Sequence, residues 1–161
     1  MATEKLSKVN LMAPDHSADR LVAGSALDYS ENGPIAKGDL IGLYTSVGWS
    51  NYTRNPDLLH RAVENSLWKL SVWDGRELVG LARAVGDDAS IAYIQDILVR
   101  PDRQRNGIGT RLAAAALERF AHVPQIVLIT DDEPKTASFY RSVGMTDLGE
   151  LGVRGFARFS F

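Results

Sequence analysis

Apolar positions repeat along this chain with two periods, and the switches between them divide it into elements. Leu40, Leu43, Tyr44 and Val47 recur at helical spacing, with Gly48 placed to end that helix. Pro56-Asp57 opens a second helix bearing Leu58, Leu59, Ala62 and Val63. Leu67-Trp68-Lys69-Leu70-Ser71-Val72-Trp73 alternates as a strand does, which places one tryptophan inside and the other outside. Asp74-Gly75 is a strong hairpin signal leading into a strand over residues 77–85. Gly86-Asp87-Asp88 turns the chain again into a strand over residues 91–99. The remaining pattern predicts helix 108–121, strand 125–130, helix 135–143 and a last β segment over 153–160. A short strand over 26–30 precedes the Asn32-Gly33-Pro34 turn.

Hairpins followed by β-α-β-α-β predict an α/β fold, a mixed sheet with helices on both faces. On the long helix Ile108, Leu112, Ala116 (or Ala115) and Phe120 form one stripe, which predicts core. Residues 126–129 are continuously apolar, as in a strand covered on both faces. Residues 1–20 are polar, with Pro14, Asp15 and Ser17, and are read as a flexible arm. The rest, 21–161, fits a single domain, large enough to bury roughly two-thirds of its unfolded surface.

Composition narrows the chemistry. A formal net charge of −2 leaves no polybasic footprint for nucleic acid. Without cysteine there is no disulfide, thiolate metal site or cysteine nucleophile, and His16, His60 and His122 have no metal-ligand spacing. No apolar run is long enough to span a bilayer, and the start lacks a secretory signal's apolar region, so the expectation is a cytoplasmic protein off the membrane.

The most informative stretch is Gln104-Arg105-Asn106-Gly107-Ile108-Gly109-Thr110, between an apolar strand and a helix. A helix start offers several free backbone N–H groups and partial positive charge, which suits a phosphate or pyrophosphate. The third glycine of a dinucleotide fingerprint is missing, since Leu112 stands there. Gly109 is followed by Thr110-Arg111 rather than the Lys-Ser/Thr of a P-loop.

The segment Ile97-Leu98-Val99-Arg100-Pro101-Asp102-Arg103-Gln104-Arg105-Asn106-Gly107-Ile108-Gly109 resembles the acetyl-CoA-binding motif of the GNAT superfamily of N-acetyltransferases. A second match, Ala137-Ser138-Phe139-Tyr140-Arg141-Ser142-Val143-Gly144-Met145, resembles that family's closing helix at the right distance. Within the superfamily, Leu43-Tyr44-Thr45-Ser46-Val47-Gly48-Trp49 and Gln95-Asp96-Ile97-Leu98-Val99 look like the branch of plant serotonin (arylalkylamine) N-acetyltransferases and small bacterial relatives.

The resemblance implies a GNAT-like fold with a splayed pair of parallel strands and acetyl-CoA as co-substrate, with no metal. It implies that the backbone of Ile97, Leu98 and Val99 receives the pantetheine arm. Gln104, Arg105, Asn106, Gly107, Ile108, Gly109 and Thr110 would hold the pyrophosphate, helped by the side chain of Arg103 or Arg105. Phe139 would pack by the cofactor, and Tyr140 matches the family's proton donor to the departing sulfur. The amide of Leu98 is placed to polarise the thioester carbonyl. Asp96, charged in mid-strand, is either the base for the amine or the partner of Arg83. Many family members carry Glu where this chain has Tyr93, which opens a water-relayed route as well. The acceptor wall is expected from Trp49, Tyr52 and Tyr44, with Asp131, Asp132 and Glu133 near the mouth to steer a cationic amine.

The reaction so implied is acetyl transfer to a primary amine, such as an arylalkylamine, by direct attack in a ternary complex. The alternatives are acylation of a protein or peptide amine, and an acyl-CoA-binding domain without turnover. A small-molecule amine is the expected partner, and the sequence leaves monomer and homodimer both open.

Overall fold

The structure, a computed structural model, describes residues 26–160; the arm expected over residues 1–20 lies outside them. Its sheet is built around two antiparallel turns. β1 (Asp28–Glu31) pairs with β2 (Trp68–Asp74), and β2 returns through Gly75 as β3 (Glu77–Gly86). β4 (Ile91–Val99) follows a turn in which the Asp87 carboxylate accepts from the amides of Ala89, Ser90 and Ile91 at 2.8–3.0 Å. β5 (Gln125–Val127) then joins β4 in parallel, giving the order β1-β2-β3-β4-β5. The predicted mixed sheet is present.

Helices cover both faces. α1 (Lys37–Ser46) and α3 (Pro56–Glu64) bury Leu40, Leu43, Tyr44, Leu59 and Val63 against Leu78, Leu81 and Leu98 on one side. On the other side α4 (Ile108–Arg119) buries Ile108, Leu112, Ala116 and the adjoining Phe120 against Val72, Val79, Ala82 and Ile94. Ala116 belongs to the buried stripe and Ala115 is half-buried beside it. Asn55 caps α3 by accepting from the Leu58 amide at 3.1 Å, with Pro56 in the first turn. After α1 the amides of Gly48 and Trp49 bond back to the carbonyls of Thr45 and Tyr44, both at 3.0 Å. That closure turns the chain into a short extra helix, α2 (Ser50–Thr53), which the pattern of apolar residues does not announce.

Trp68 is buried as expected, whereas Trp73, expected outside, is half-buried against the α1-side core. Three further expectations are corrected. The strand over 125–130 stops at Val127, because β4 offers no ladder partner past Tyr93. For the same reason residues 126–129 are not covered on both faces: Ile126, Val127 and Leu128 are half-buried and Ile129 is 57% exposed. Residues 153–160 form no strand; their large apolar side chains stand in solvent, Phe156 at 94% exposure.

Candidate active site

One extra residue in β4 creates the site. Arg83 pairs with Asp96 and Ala84 with Ile94, so Gln95 is a bulge. Its effect is a reversal of facing. Ala92 and Ile94 pack on the α4 side, whereas Leu98, an even number of residues on, packs on the α1 side. Asp96 moves with Leu98 and meets Tyr44 of α1. The bulge also bends β4 away from β5, whose ladder ends at the Tyr93–Val127 pair. Past that pair the outer backbone edge of β4 has no strand beside it. The two parallel strands diverge there.

A cavity of about 950 Å³ occupies the divergence. Its floor includes Gln95, Ile97, Leu98 and Val99, and its far wall Leu128, Ile129, Thr130, Asp131, Phe139 and Tyr140. One end is the glycine turn. A 3-10 turn at Pro101–Arg103 leads into it, and the Gln104 side-chain amide donates to the Val99 carbonyl at 3.1 Å, which fixes the turn to the end of β4. Gly107 sits just before α4 with φ of +78°, a conformation that a side chain disfavours. The first bond of the helix runs from the Arg111 amide to the Gly107 carbonyl at 3.0 Å, so the amides of residues 105–110 stand outside the helical ladder. Gly80 of β3 brings this turn close: a Cβ there would lie 3.2 Å from the Ile108 side chain.

The opposite end is aromatic. Trp49 and Tyr52 stack with ring centroids 5.6 Å apart, and both line the cavity. Gln95 donates to the Tyr52 hydroxyl at 3.3 Å, joining the bulge to this wall. Tyr44 lies one layer behind, fully buried, with its ring edge-on to Trp49 at 6.0 Å. Its hydroxyl donates to Asp96 Oδ2 at 2.6 Å, and the same oxygen accepts from Nε of Arg83. Asp96 is 1% exposed, and its Oδ1 has no hydrogen-bond partner. Burial first, then the charge of Asp96, pushes the Tyr44 hydroxyl well above the usual range for tyrosine.

Tyr140 and Phe139 come from α5 (Pro134–Ser142), their rings 5.1 Å apart and edge to face. Tyr140 is half-buried at the cavity wall, and burial, with the nearby carboxylates of Asp131 and Asp96, raises its pKa. Tyr93 is also raised, chiefly by burial. Of the expected steering acids, Asp131 lines the cavity, while Asp132 and Glu133 are exposed outside it. Arg105 lines it, with φ of +61°. Arg103 instead turns back to Asp74 at 2.9 Å and Glu77 at 3.8 Å. Asn106 and Thr110 are exposed at the turn, and the Ile108 side chain is core, which leaves its amide for a ligand. Lys135 and Thr136, in the first turn of α5, are lining residues that the motifs did not supply. A cation at a helix start in a loop otherwise acidic is the signal that could have found Lys135.

The chemistry of these groups fits a long phosphorylated thioester. Free amides and two cations, Arg105 and Lys135, suit phosphate oxygens; an unpaired strand edge suits an amide-bearing arm. Tyr140 and Asp131 line the same cavity, whereas Asp96, 1% exposed, is not among its lining residues.

The family described as Acetyltransferase (GNAT) matches residues 39–145. An uncharacterized N-acetyltransferase of the ycf52-like type from Prochlorococcus marinus is 35% identical over 114 residues, covering 67% of this chain and 61% of its own length. The ycf52 protein of Gracilaria tenuistipitata var. liui is 34% identical over 125 residues, covering 73% of this chain and 65% of its own. The chain thus spans less than two thirds of the length of these curated relatives. A GNAT family acetyltransferase of Streptococcus pneumoniae TIGR4 superposes with a TM-score of 0.73 at 34% identity, covering 84% of this chain and 98% of that one. Both the matched region, which runs from α1 through the end of α5, and the superposition on a solved family member at 34% identity assign this chain to the GNAT family of acetyltransferases.

Proposed function

We propose that this protein transfers the acetyl group of acetyl-CoA to a small primary amine with a flat apolar body, of the arylalkylamine kind. The observation that carries the reading is one continuous cavity running from the free amides at Gly107 to the stacked Trp49–Tyr52 pair. Amides of residues 105–110, with Arg105 and Lys135, hold the phosphates. The backbone of Ile97, Leu98 and Val99 holds the pantetheine arm as an added strand would be held, and Phe139 packs beside it.

Acetyl-CoA supplies a thioester, whose carbonyl carbon the amine attacks; the N–C bond forms as the C–S bond breaks. An alkylammonium has a pKa near 10.4, so freeing its lone pair at neutral pH costs roughly 4–5 kcal/mol. Apolar walls at Trp49 and Tyr52 lower that cost by disfavouring the charged form. Asp131, at the cavity wall, attracts the cation, and the proton leaves through water to a carboxylate. Asp96 is the acceptor at the end of that relay through its unpartnered Oδ1, while its Oδ2 is held by Tyr44 and Arg83. The Leu98 amide polarises the carbonyl oxygen. Tyr140 gives its hydroxyl proton, or a strong hydrogen bond, to the departing sulfur. Full transfer from a free tyrosine to a thiolate is uphill by roughly 2 kcal/mol, so a shared proton is the better description.

The test is a thiol-release assay with acetyl-CoA across arylalkylamines, polyamines, amino acids and peptides. Flat monoamines should give the highest kcat/KM. A preference for peptides would move the reading to protein acylation, and acetyl-CoA binding with no release for any amine would leave a binding domain.

A further inference from the structure

The bulge residue is the one polar side chain that β4 contributes to the cavity. The strand's lining residues are Ile94, Gln95, Ile97, Leu98 and Val99, and the rest of them are apolar. Gln95 Nε2 donates to the Tyr52 hydroxyl at 3.3 Å, which uses one amide hydrogen and fixes the plane of the carboxamide against the stacked Trp49–Tyr52 pair. Its carbonyl oxygen, Oε1, has no partner among the described residues. Such an oxygen has two lone pairs to offer. Neighbouring polar groups are already committed. The Tyr52 oxygen accepts from Gln95, the Tyr44 hydroxyl is given to Asp96, and Asp96 is buried. The Trp49 indole can only donate. Ser50 and Asn51 also line the cavity, but they are exposed on α2 rather than carried by the strand.

We infer that Gln95 Oε1 accepts an N–H of the attacking amine and thereby selects primary over secondary amines, a role that rests on the acetyl-transfer reading above. Attack sends the nitrogen lone pair to the thioester carbon. The electron pair of the breaking C–S bond leaves with sulfur, which takes or shares the Tyr140 proton. One N–H proton of the amine departs through water. A primary amine keeps another, which becomes the N–H of the product amide. Held by Oε1 throughout, that N–H aims the lone pair at the carbon. The bond tightens as the nitrogen gains positive charge, so it is stronger in the transition state than in the ground state. An N-methyl amine has only the N–H that must leave. Its transition state therefore gives Oε1 no lasting donor, and a site built around a hydrogen bond rejects the analogue that lacks it. The Tyr52 bond holds the oxygen in place beforehand, so less side-chain freedom is lost when the amine binds.

The test measures thiol release from acetyl-CoA with phenethylamine and with its N-methyl derivative, for the parent, Gln95→Leu and Gln95→Glu. The parent should favour the primary amine. In Gln95→Leu the ratio of the two kcat/KM values should fall about tenfold, the worth of one hydrogen bond to a nitrogen gaining charge. The fall should come through kcat for the primary amine, with the acetyl-CoA dissociation constant unchanged in calorimetry. Gln95→Glu keeps an acceptor and can itself accept from the Tyr52 hydroxyl, so it should retain the preference. Displacement of the aromatic wall alone would slow both amines alike and leave the ratio where it was. A ratio that survives Gln95→Leu, or that Gln95→Glu also abolishes, would overturn the inference while acetyl transfer stands. A parent that binds acetyl-CoA but releases thiol with neither amine would remove acetyl transfer itself, and this role with it.

Discussion

Arg83 of β3 and Asp96 of β4 are cross-strand neighbours whose side chains meet beneath the cavity floor, one residue from the bulge at Gln95. Tyr44 joins them from α1, and Arg83 Nη1 reaches the Ala62 carbonyl of α3 at 3.4 Å. Four elements are therefore tied at one carboxylate. Removing one member of a buried pair strands the other charge, at a cost of about 3–5 kcal/mol. Arg83→Met should accordingly lower the melting temperature by roughly 10 °C, whereas Tyr44→Phe, which deletes a single donor, should cost about 1–3 kcal/mol. Thermal unfolding by circular dichroism checks both; an Arg83→Met protein melting with the parent would mean that the pair contributes nothing.

Cofactor affinity should hinge on Gly107. At φ of +78° a side chain is strained by about 1–2 kcal/mol before any ligand is considered. Gly107→Val should therefore raise the acetyl-CoA dissociation constant at least tenfold in calorimetry. At Gly109 a Cβ would sit 3.7 Å from both Phe139 and Val99, so alanine should be accepted and leucine should not.

The two arginines of the turn should part company. Arg103 is engaged by Asp74 and Glu77, while Arg105 lines the cavity. Arg105→Ala is expected to weaken acetyl-CoA binding several-fold, more so at low salt, and Arg103→Ala to leave it near the parent value. Equal losses would put Arg103 back among the phosphate contacts.

Tyr140→Phe should reduce kcat by about a hundredfold with little change in cofactor affinity, the low end of what a positioned proton donor contributes. The pH dependence has a definite sign. Burial raises the Tyr140 pKa above 10, so the hydroxyl keeps its proton throughout the working range. Stabilisation from holding it neutral is complete below pH 10 and disappears as the pH climbs through the raised value. The kcat profile should therefore show no alkaline fall due to Tyr140 below about pH 10.

Much of this arrangement could be read from residue order. Asp74-Gly75, the Asp87 turn and the Gly107 turn each carry local chemistry strong enough to punctuate the chain, and all three turns are present. The bulge could not be read. Ile94, Asp96 and Leu98 share one parity, so the alternation looks unbroken even though the strand changes face between Ile94 and Asp96. That is also why Asp96 stood between two roles: a charge in mid-strand announces a special position without naming its partner. Arg83, thirteen residues earlier, becomes its neighbour only once the hairpin register is fixed. Tyr44 shows the same limit. Its spacing puts it on the buried face of α1, yet its place behind Trp49 and Tyr52 depends on the helix closure at Gly48. Residues 125–130 failed as a long strand because apolar character cannot say where a neighbour departs.

Gln95 carries a further consequence for how this chain tolerates change in length. Deleting that single residue would close the bulge yet leave the aspartate on its present side, because adjacent strand residues point to opposite faces; what would go is the bend that parts this strand from β5 and the side chain that reaches the Tyr52 hydroxyl. Loss of three nucleotides there would spare the buried ion pair and instead narrow the gap between the two parallel strands, although every remaining amino acid would be unaltered.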